Sequence, residues 1–348
     1  MKKVQNPPRS AMQPRRPYPH GWFALAFSRE VRRGQVRRVR FMDDDVVLYR
    51  TQSGAARAVD PYCPHLGAHL GYGGRVDGET IVCPFHGFAY DTGGRCVRTG
   101  YDTPPPQARL TVRHVSEVNG VILVWHHPDD LPPQWQIPRL PDDLPAPVER
   151  TVPLTDHPQE IVENLMDIGH LTYLHGFSHA SEVSPVEFDG HRMRYHLAVE
   201  KTYLPLTGPV RFDIRADVHG LGYFSLEFDA PRLGIRGRSL QLPTAVDPTH
   251  IHYRWTMSLL APRSLGRLRA PLSRLLTGLA APVLGREAAA DFAVWENKIY
   301  IEHPRLAKGD GPIGAYRRWA AQFYPSADTT SRALPPAPAR QEPDERQA

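Results

Sequence analysis

Two short segments carry the first chemical signal in this chain. YCPHLGAHLGYGG supplies Cys63 and His65 as C-x-H, CPFHGFAYD supplies Cys83 and His86 as C-x2-H, and 17 residues separate the two pairs. Two thiolates and two imidazoles delivered as mixed pairs suit a [2Fe–2S] cluster with cysteines on one iron and histidines on the other. Zinc accepts the same ligands, but zinc fingers usually pair cysteine with cysteine and histidine with histidine. Gly67 and Gly87 permit tight loops whose N–H groups reach the cluster sulfurs. Cys96, outside both pairs, reads as a small core residue.

A second signal lies in ENLMDIGHLTYLHGF, where Asp167, His170 and His175 form D-x2-H-x4-H. On a continuous helix Glu163, Asp167 and His170 would share one face. His175 would sit about 140° further round than His170, so the helix must end or distort before both rings can face one metal, with Gly176 as a stop signal. An iron(II) site that activates O2 needs two histidines and one carboxylate, with the opposite positions open. The segment DFAVWENKIY offers Asp291 for the carboxylate, with Glu287 and Glu296 competing at helical spacings.

These residues need elements to hold them. The 348 residues suggest two domains rather than one. From Trp22 to about Val124, short β-rich runs such as Val46–Tyr49 and Val121–Trp125 alternate with Gly, Asp and Asn turns, which predicts an all-β domain. A Pro-rich linker over the surface follows, then an α+β domain: a helix around Glu160–Leu174, strand-like alternation from His191 to Met257, and helix again around Leu265–Ile301. The expected division is a flexible N-terminus (1–20), the β domain (21–127), the linker (128–150), a helix-flanked antiparallel-sheet domain (151–324) and a disordered tail (325–348).

The formal charge of +5 is spread along the chain and is densest from Arg29 to Arg40, where it reads as the wet face of a strand or hairpin. Docking of an acidic protein is the sharper alternative. No nucleic-acid-binding pattern accompanies the charge, so no nucleic-acid partner is expected. Three cysteines cannot build a disulfide framework and point to a reducing, cytoplasmic compartment. Leu275–Leu284, interrupted by Pro282, could touch a membrane peripherally but is too short to cross one.

Together the motifs resemble the catalytic subunits of Rieske non-haem iron oxygenases, from Trp22 to Tyr324. CPHLGAHL, ENLMDIGHLTYLHG, DFAVWENK and GDGPIGAYRRWAAQFY resemble the steroid- and sterol-acting branch, which holds the cholesterol 7-desaturases of the Neverland type and the oxygenase component of 3-ketosteroid 9α-hydroxylase. The resemblance implies that Cys63, His65, Cys83 and His86 bind the cluster and that His170, His175 and Asp291 bind a mononuclear Fe(II). It also implies that Asp167 links the two centres, with electrons crossing between subunits of a head-to-tail homotrimer from His86. The hydroxylases typically have Arg where this chain has Pro64, which favours the desaturases; insect and worm desaturases usually carry an N-terminal membrane segment, which this sequence does not show.

The expected reaction is O2-dependent C–H oxidation of a sterol or steroid, with 7,8-desaturation of cholesterol first. 9α-Hydroxylation of a 3-ketosteroid is second and oxidative removal of a sterol methyl group third. Leu221, Tyr223, Phe224, Leu226 and Phe228 are candidates to line a large pocket. High-potential Rieske proteins carry an extra cysteine in each loop, joined as a disulfide, and a serine after the second His-Gly where this chain has Ala68, Phe85 and Phe88, so a potential of roughly −150 mV is expected. That suits reduction by a ferredoxin or flavin reductase, since no nucleotide-binding G-x-G-x-x-G follows a strand. The rival classes are a Rieske electron carrier, for which the second domain is superfluous, and a zinc-stabilised binding protein.

Overall fold

The computed structural model describes residues 16–202 and 208–325. The N-terminal part holds β1 (Gly21–Phe27), β2 (Val36–Phe41), β3 (Asp44–Arg50), β4 (Ala56–Val59), β5 (Arg75–Asp77), β6 (Thr80–Val82), β7 (Ala89–Tyr90), β8 (Cys96–Arg98), β9 (Val112–Arg113), β10 (Val115–Val118) and β11 (Val121–His126). They form three antiparallel sheets, ordered β1-β11-β10, β2-β3-β4-β9 and β5-β6-β7-β8. Only the second half of the arginine-rich run, Arg37, Arg38 and Arg40, lies on the β2–β3 hairpin, with Arg38 and Arg40 outward and both paired with Asp45, while Arg29, Arg32 and Arg33 precede β2.

The C-terminal part is a seven-stranded antiparallel sheet crossed by helices. Its strands are β12 (Val148–Leu154), β13 (His179–Asp189), β14 (Arg192–Lys201), β15 (Val210–His219), β16 (Phe224–Ala230), β17 (Ile235–Asp247) and β18 (His250–Leu260), ordered β12-β18-β17-β16-β15-β14-β13. The helices are α1 (Pro158–Glu163), α2 (Ile168–Tyr173), α3 (Arg269–Trp295) and α4 (Ile313–Ala320). At 1.5 Å per residue α3 is about 40 Å long. It lies along β18, where Phe292 and Trp295 meet Tyr253 edge-on and the β18 N–H of Leu259 donates to Thr277 Oγ1 at 2.9 Å.

The α+β expectation holds, with three local corrections. The single helix expected over Glu160–Leu174 is two short helices, because Asp167 is the N-cap of α2 rather than a mid-helix residue: its carboxylate accepts the His170 N–H at 3.2 Å. Aspartate gains more by capping a helix than by sitting inside one. Strand β13, before His191, is an edge strand with two register shifts around Ser184, and its irregularity hid it from a period-two reading. Residues 16–20, within the segment expected to be flexible, are tied down by Arg16 to Glu160 at 2.6 Å and by His20 N–H to the Phe323 carbonyl at 2.8 Å. Residues 1–15 and 326–348 lie outside the described residues.

One apolar core runs through both parts. Trp22, Leu123 and Trp125 of the β sheets pack in the same cluster as Leu242, Tyr253 and Phe323, and Trp135 and Ile137 of the linker are buried in it. The linker therefore plugs the seam rather than merely wrapping the surface. Arg254 of β18 is buried there, its pKa pushed down by burial to about 10, and donates to the carbonyls of Ala24 and Leu25 at 2.9 and 2.8 Å. Arg254→Ala leaves a cavity and unpaired carbonyls in that seam and should lower stability by about 3 kcal/mol, read as a shift in denaturant midpoint.

Candidate metal centres

The two Cys–His loops have the same backbone design. The Cys63 N–H donates to the Ala68 carbonyl and its carbonyl accepts from Gly67; the Cys83 N–H donates to Phe88 and its carbonyl accepts from Gly87. Gly67 and Gly87 close the turns at φ 75° and 69°, which a side chain would strain. Both thiols are buried and free. Burial pushes the Cys83 thiol up, and the neighbouring Cys63 thiol adds to this. The His65 and His86 rings stand 4.9 Å apart, and His65 stacks on Phe88 at 4.2 Å. His86 Nδ1 is buried without a hydrogen-bond partner. Two adjacent thiols, two facing imidazoles and an orphaned ring nitrogen are the donor set that a [2Fe–2S] cluster satisfies.

Tyr90 completes this site and was not singled out from the sequence. Its hydroxyl lies 3.0 Å from Cys63 Sγ. The only sequence signal was its place on the short strand leaving the second loop, where a tyrosine reads as ordinary β core.

The second centre joins three elements. His170 sits on α2; His175 follows the end of that helix, where Gly176 turns at φ 67°, as the stop signal required; Asp291 reaches in from α3. Each can offer one ligand atom, and these atoms lie within 4.8 Å of one another. His175 Nε2 is 3.0 Å and His170 Nε2 is 3.8 Å from Asp291 Oδ1. The competing acids are elsewhere: Glu287 pairs with Lys201 Nζ at 2.6 Å, and Glu296 is exposed.

The surrounding contacts orient these rings. His170 Nδ1 lies against the Asp167 backbone carbonyl, so its proton belongs there and Nε2 presents a lone pair toward Asp291. Asn164 Nδ2 stands 3.3 Å from His170 Nε2, a neighbour the sequence reading did not single out. Burial works against a charge on His170, but Asp167 and Asp291 outweigh it and raise its pKa. Burial likewise opposes the Asp167 carboxylate, while the contact with His170 lowers its pKa. Two histidines and one carboxylate, with Asp167 beside them, fit a mononuclear iron.

Of the apolar residues considered for a pocket, Leu221 and Tyr223 are buried core, and the Tyr223 hydroxyl accepts from Asn119 at 2.8 Å. Phe224, Leu226 and Phe228 alternate on β16 on one face of the sheet. Cross-strand rows join Phe224 to Gln241 and Trp255, and Phe228 to Gly237 and Leu259, on the face that α3 covers. A Cβ at Gly237 would stand 2.2 Å from the Phe228 ring, so glycine is what lets that ring lie across the sheet.

A β domain with two Cys–His loops, joined to a sheet domain with a two-histidine, one-carboxylate centre, is the build of a Rieske non-haem iron oxygenase. Residues 21–113 match the Rieske [2Fe-2S] domain and residues 124–324 match the 3-ketosteroid 9alpha-hydroxylase C-terminal domain. A cholesterol 7-desaturase of Ciona intestinalis is 30% identical over 347 residues, covering 88% of this chain and 69% of that protein. A probable 3-ketosteroid-9-alpha-monooxygenase oxygenase component of Rhodococcus rhodochrous is 28% identical, covering 88% and 80%. The fold is shared with dicamba monooxygenase bound to dicamba, at TM-score 0.68 and 20% identity over 87% of this chain and 96% of that one.

The chain belongs to the Rieske oxygenase family, in the group defined by the 3-ketosteroid 9α-hydroxylase catalytic domain. It is an oxidoreductase whose cofactors are a [2Fe–2S] cluster and a mononuclear iron, and the family works with electron-transfer partners and O2. Among the described residues no helix is long and apolar enough to cross a membrane.

Proposed function

We propose that this chain oxidises a sterol at the ring system, with 7,8-desaturation of cholesterol as its reaction. The carrying observation is the 30% identity to a cholesterol 7-desaturase across both domains. A second reading, 9α-hydroxylation of a 3-ketosteroid, is favoured by the match of residues 124–324. In either case Cys63, His65, Cys83 and His86 hold the cluster, and His170, His175 and Asp291 hold the iron. When bound, the iron supplies O2 activation and hydrogen abstraction from an unactivated C–H, with electrons from the cluster.

The protein's own part is to bind, orient and exclude water. Leu226 and Phe228, partly buried on the face covered by α3, offer a four-ring hydrocarbon an apolar wall, backed by the buried Phe224. Burial contributes roughly 25 cal/mol per Å2, so smaller rings bind more weakly. The Asp167 carbonyl keeps the His170 proton on Nδ1, and the Asp167 carboxylate, which caps α2 and stays 38% exposed, is left accessible for a role between subunits. Tyr173, the last residue of α2, is 96% exposed, and Leu66 and Phe85 are exposed at the cluster loops. Those apolar surfaces are the kind that assembly covers, and they support a homotrimer with the cluster of one subunit facing Asp167 of the next. The donor is a ferredoxin or flavin reductase. A reducing cytoplasmic compartment, with the membrane surface as the source of sterol, suits three free thiols.

Incubation of the metal-loaded protein with a surrogate reductase and a panel of sterols, ketosteroids and aromatic acids tests this. Mass analysis should show loss of two hydrogens from cholesterol; gain of one oxygen on a ketosteroid selects the second reading. Rapid turnover of aromatic acids with no activity on any steroid overturns both.

The Tyr90 contact sets a further expectation. A hydrogen bond to a charged acceptor contributes about 1.5–3 kcal/mol, and a one-electron couple moves about 59 mV for a tenfold change. Only the difference between oxidation states counts, so Tyr90→Phe should lower the cluster potential by about 50 mV in a spectroelectrochemical titration. An unchanged potential would remove Tyr90 from the cluster site.

A further inference from the structure

The first half of helix α3 has much of its polarity turned inside out, although Leu276, Ala280 and Ala281 also face the core. Its buried side carries Ser273 and Thr277, whose oxygens accept from the backbone N–H groups of Ala261 and Leu259 at 2.9 Å each. Its outer side carries leucines: Leu268, at the start of the helix, is 62% exposed, Leu275 is 56% and Leu279 is 65%. At 3.6 residues per turn these three and Pro282 fall within about 60° of one line, and Val283 adjoins them. A surface helix of a water-soluble protein normally shows the opposite arrangement.

The charges that this stretch of chain itself carries beside the stripe have one sign; Glu287, the next residue on, is paired with Lys201. Between residues 263 and 286 the ionisable side chains are five arginines, with no acid and no lysine. Arg263, Arg267, Arg274 and Arg286 are exposed, Arg267 and Arg274 on one flank and Arg286 at the end of the stripe. An apolar face edged with cations fits a bilayer that carries anionic headgroups: the leucines enter the acyl boundary while the guanidinium groups stay at headgroup level.

We propose that the outer face of α3 docks on an anionic lipid surface, with Leu268, Leu275, Leu279 and Val283 inserted and the arginines on the phosphates. The helix lies in the interface and does not cross it. The same helix carries Asp291 in its last turns and covers the apolar face of the sheet. Docking therefore brings the helix that carries the oxidation site to the phase in which a sterol dissolves. This purpose rests on the sterol reading; the docking itself does not.

The test is sedimentation of the full-length, metal-loaded protein with vesicles of phosphatidylcholine, alone or mixed with phosphatidylglycerol. The protein should sediment with the mixed vesicles, and high salt should weaken this. Leu275→Asp with Leu279→Asp should reduce partitioning about tenfold or more. Arg274→Gln with Arg286→Gln should reduce it about tenfold on mixed vesicles and little on phosphatidylcholine alone. The visible cluster spectrum reports that each variant is folded, and the arginine pair keeps the test open should the leucine pair misfold.

Wild-type protein that stays in the supernatant overturns the proposal, as does a leucine variant that binds like wild type. A leucine variant that lowers the oligomeric state assigns the face to contacts between copies and overturns it as well. Sterol delivered on cyclodextrin should be turned over equally by wild type and variants, and sterol embedded in vesicles only by wild type. Absence of turnover on either delivery counts against the sterol reading and leaves the sedimentation result standing.

Discussion

Asp291→Ala should lose the mononuclear iron and all turnover while keeping the visible spectrum of the cluster. Asp291 Oδ1 is the carboxylate oxygen near both imidazoles, at 3.0 and 3.8 Å. Removing it leaves two histidines, and the loss of affinity should exceed the roughly 10–100-fold that removal of an outer partner costs. The cluster loops hang from other sheets and have no part in this loss. Glu287→Ala should cost only an ion pair with Lys201, and Glu296→Ala should cost nothing measurable, so both should retain iron. Iron analysis beside the visible spectrum decides, and equal loss in all three variants would place the site elsewhere.

Asp167→Asn should keep both metals and still lose steady-state turnover by about a hundredfold. The group that fixes His170 is the backbone carbonyl of residue 167, which this substitution leaves in place. Asparagine also caps a helix about as well as aspartate, so α2 should start at the same residue. What disappears is a negative charge on a side chain 38% exposed to solvent. That charge is the part proposed above to communicate with the cluster of a neighbouring subunit. A single turnover by pre-reduced protein should therefore survive while repeated turnover does not. Normal repeated turnover would refute the assignment, and loss of iron would move Asp167 into the ligand sphere.

What the sequence disclosed depended on how local each signal was. The cluster loops are legible because each Cys–His pair fits inside one turn, and both glycines stand where the turns need them. The carboxylate proposed for the iron is not legible in that way: Asp291 lies 116 residues from His175, and Glu287 and Glu296 stand within about one turn of it on the same stretch. Only packing of α3 against the sheet chooses among them. The spacing of Glu163, Asp167 and His170 argued for one helix, and the competing tendency of Asp167 to cap won. Tyr90 looked like any strand tyrosine, because nothing local reveals that its hydroxyl meets a sulfur. The outward leucines of α3 were visible as an apolar run, but which of them faced solvent required the fold.

The shared core has a consequence during synthesis. The small core behind the cluster loops, including Val47, Tyr49, Ile81 and Leu110, is complete once about a third of the chain has emerged. Trp22, Leu123 and Trp125 must wait for strands β17 and β18 before they are covered. A nascent chain therefore carries a finished redox module beside an uncovered aromatic face through much of translation, the kind of intermediate that calls on chaperones. Asp291 is made later still. The order in which the parts can be completed is the Cys–His loops first, the seam second and the His170–His175–Asp291 centre last, so an overproducing host short of chaperone capacity should accumulate protein that is coloured and inactive.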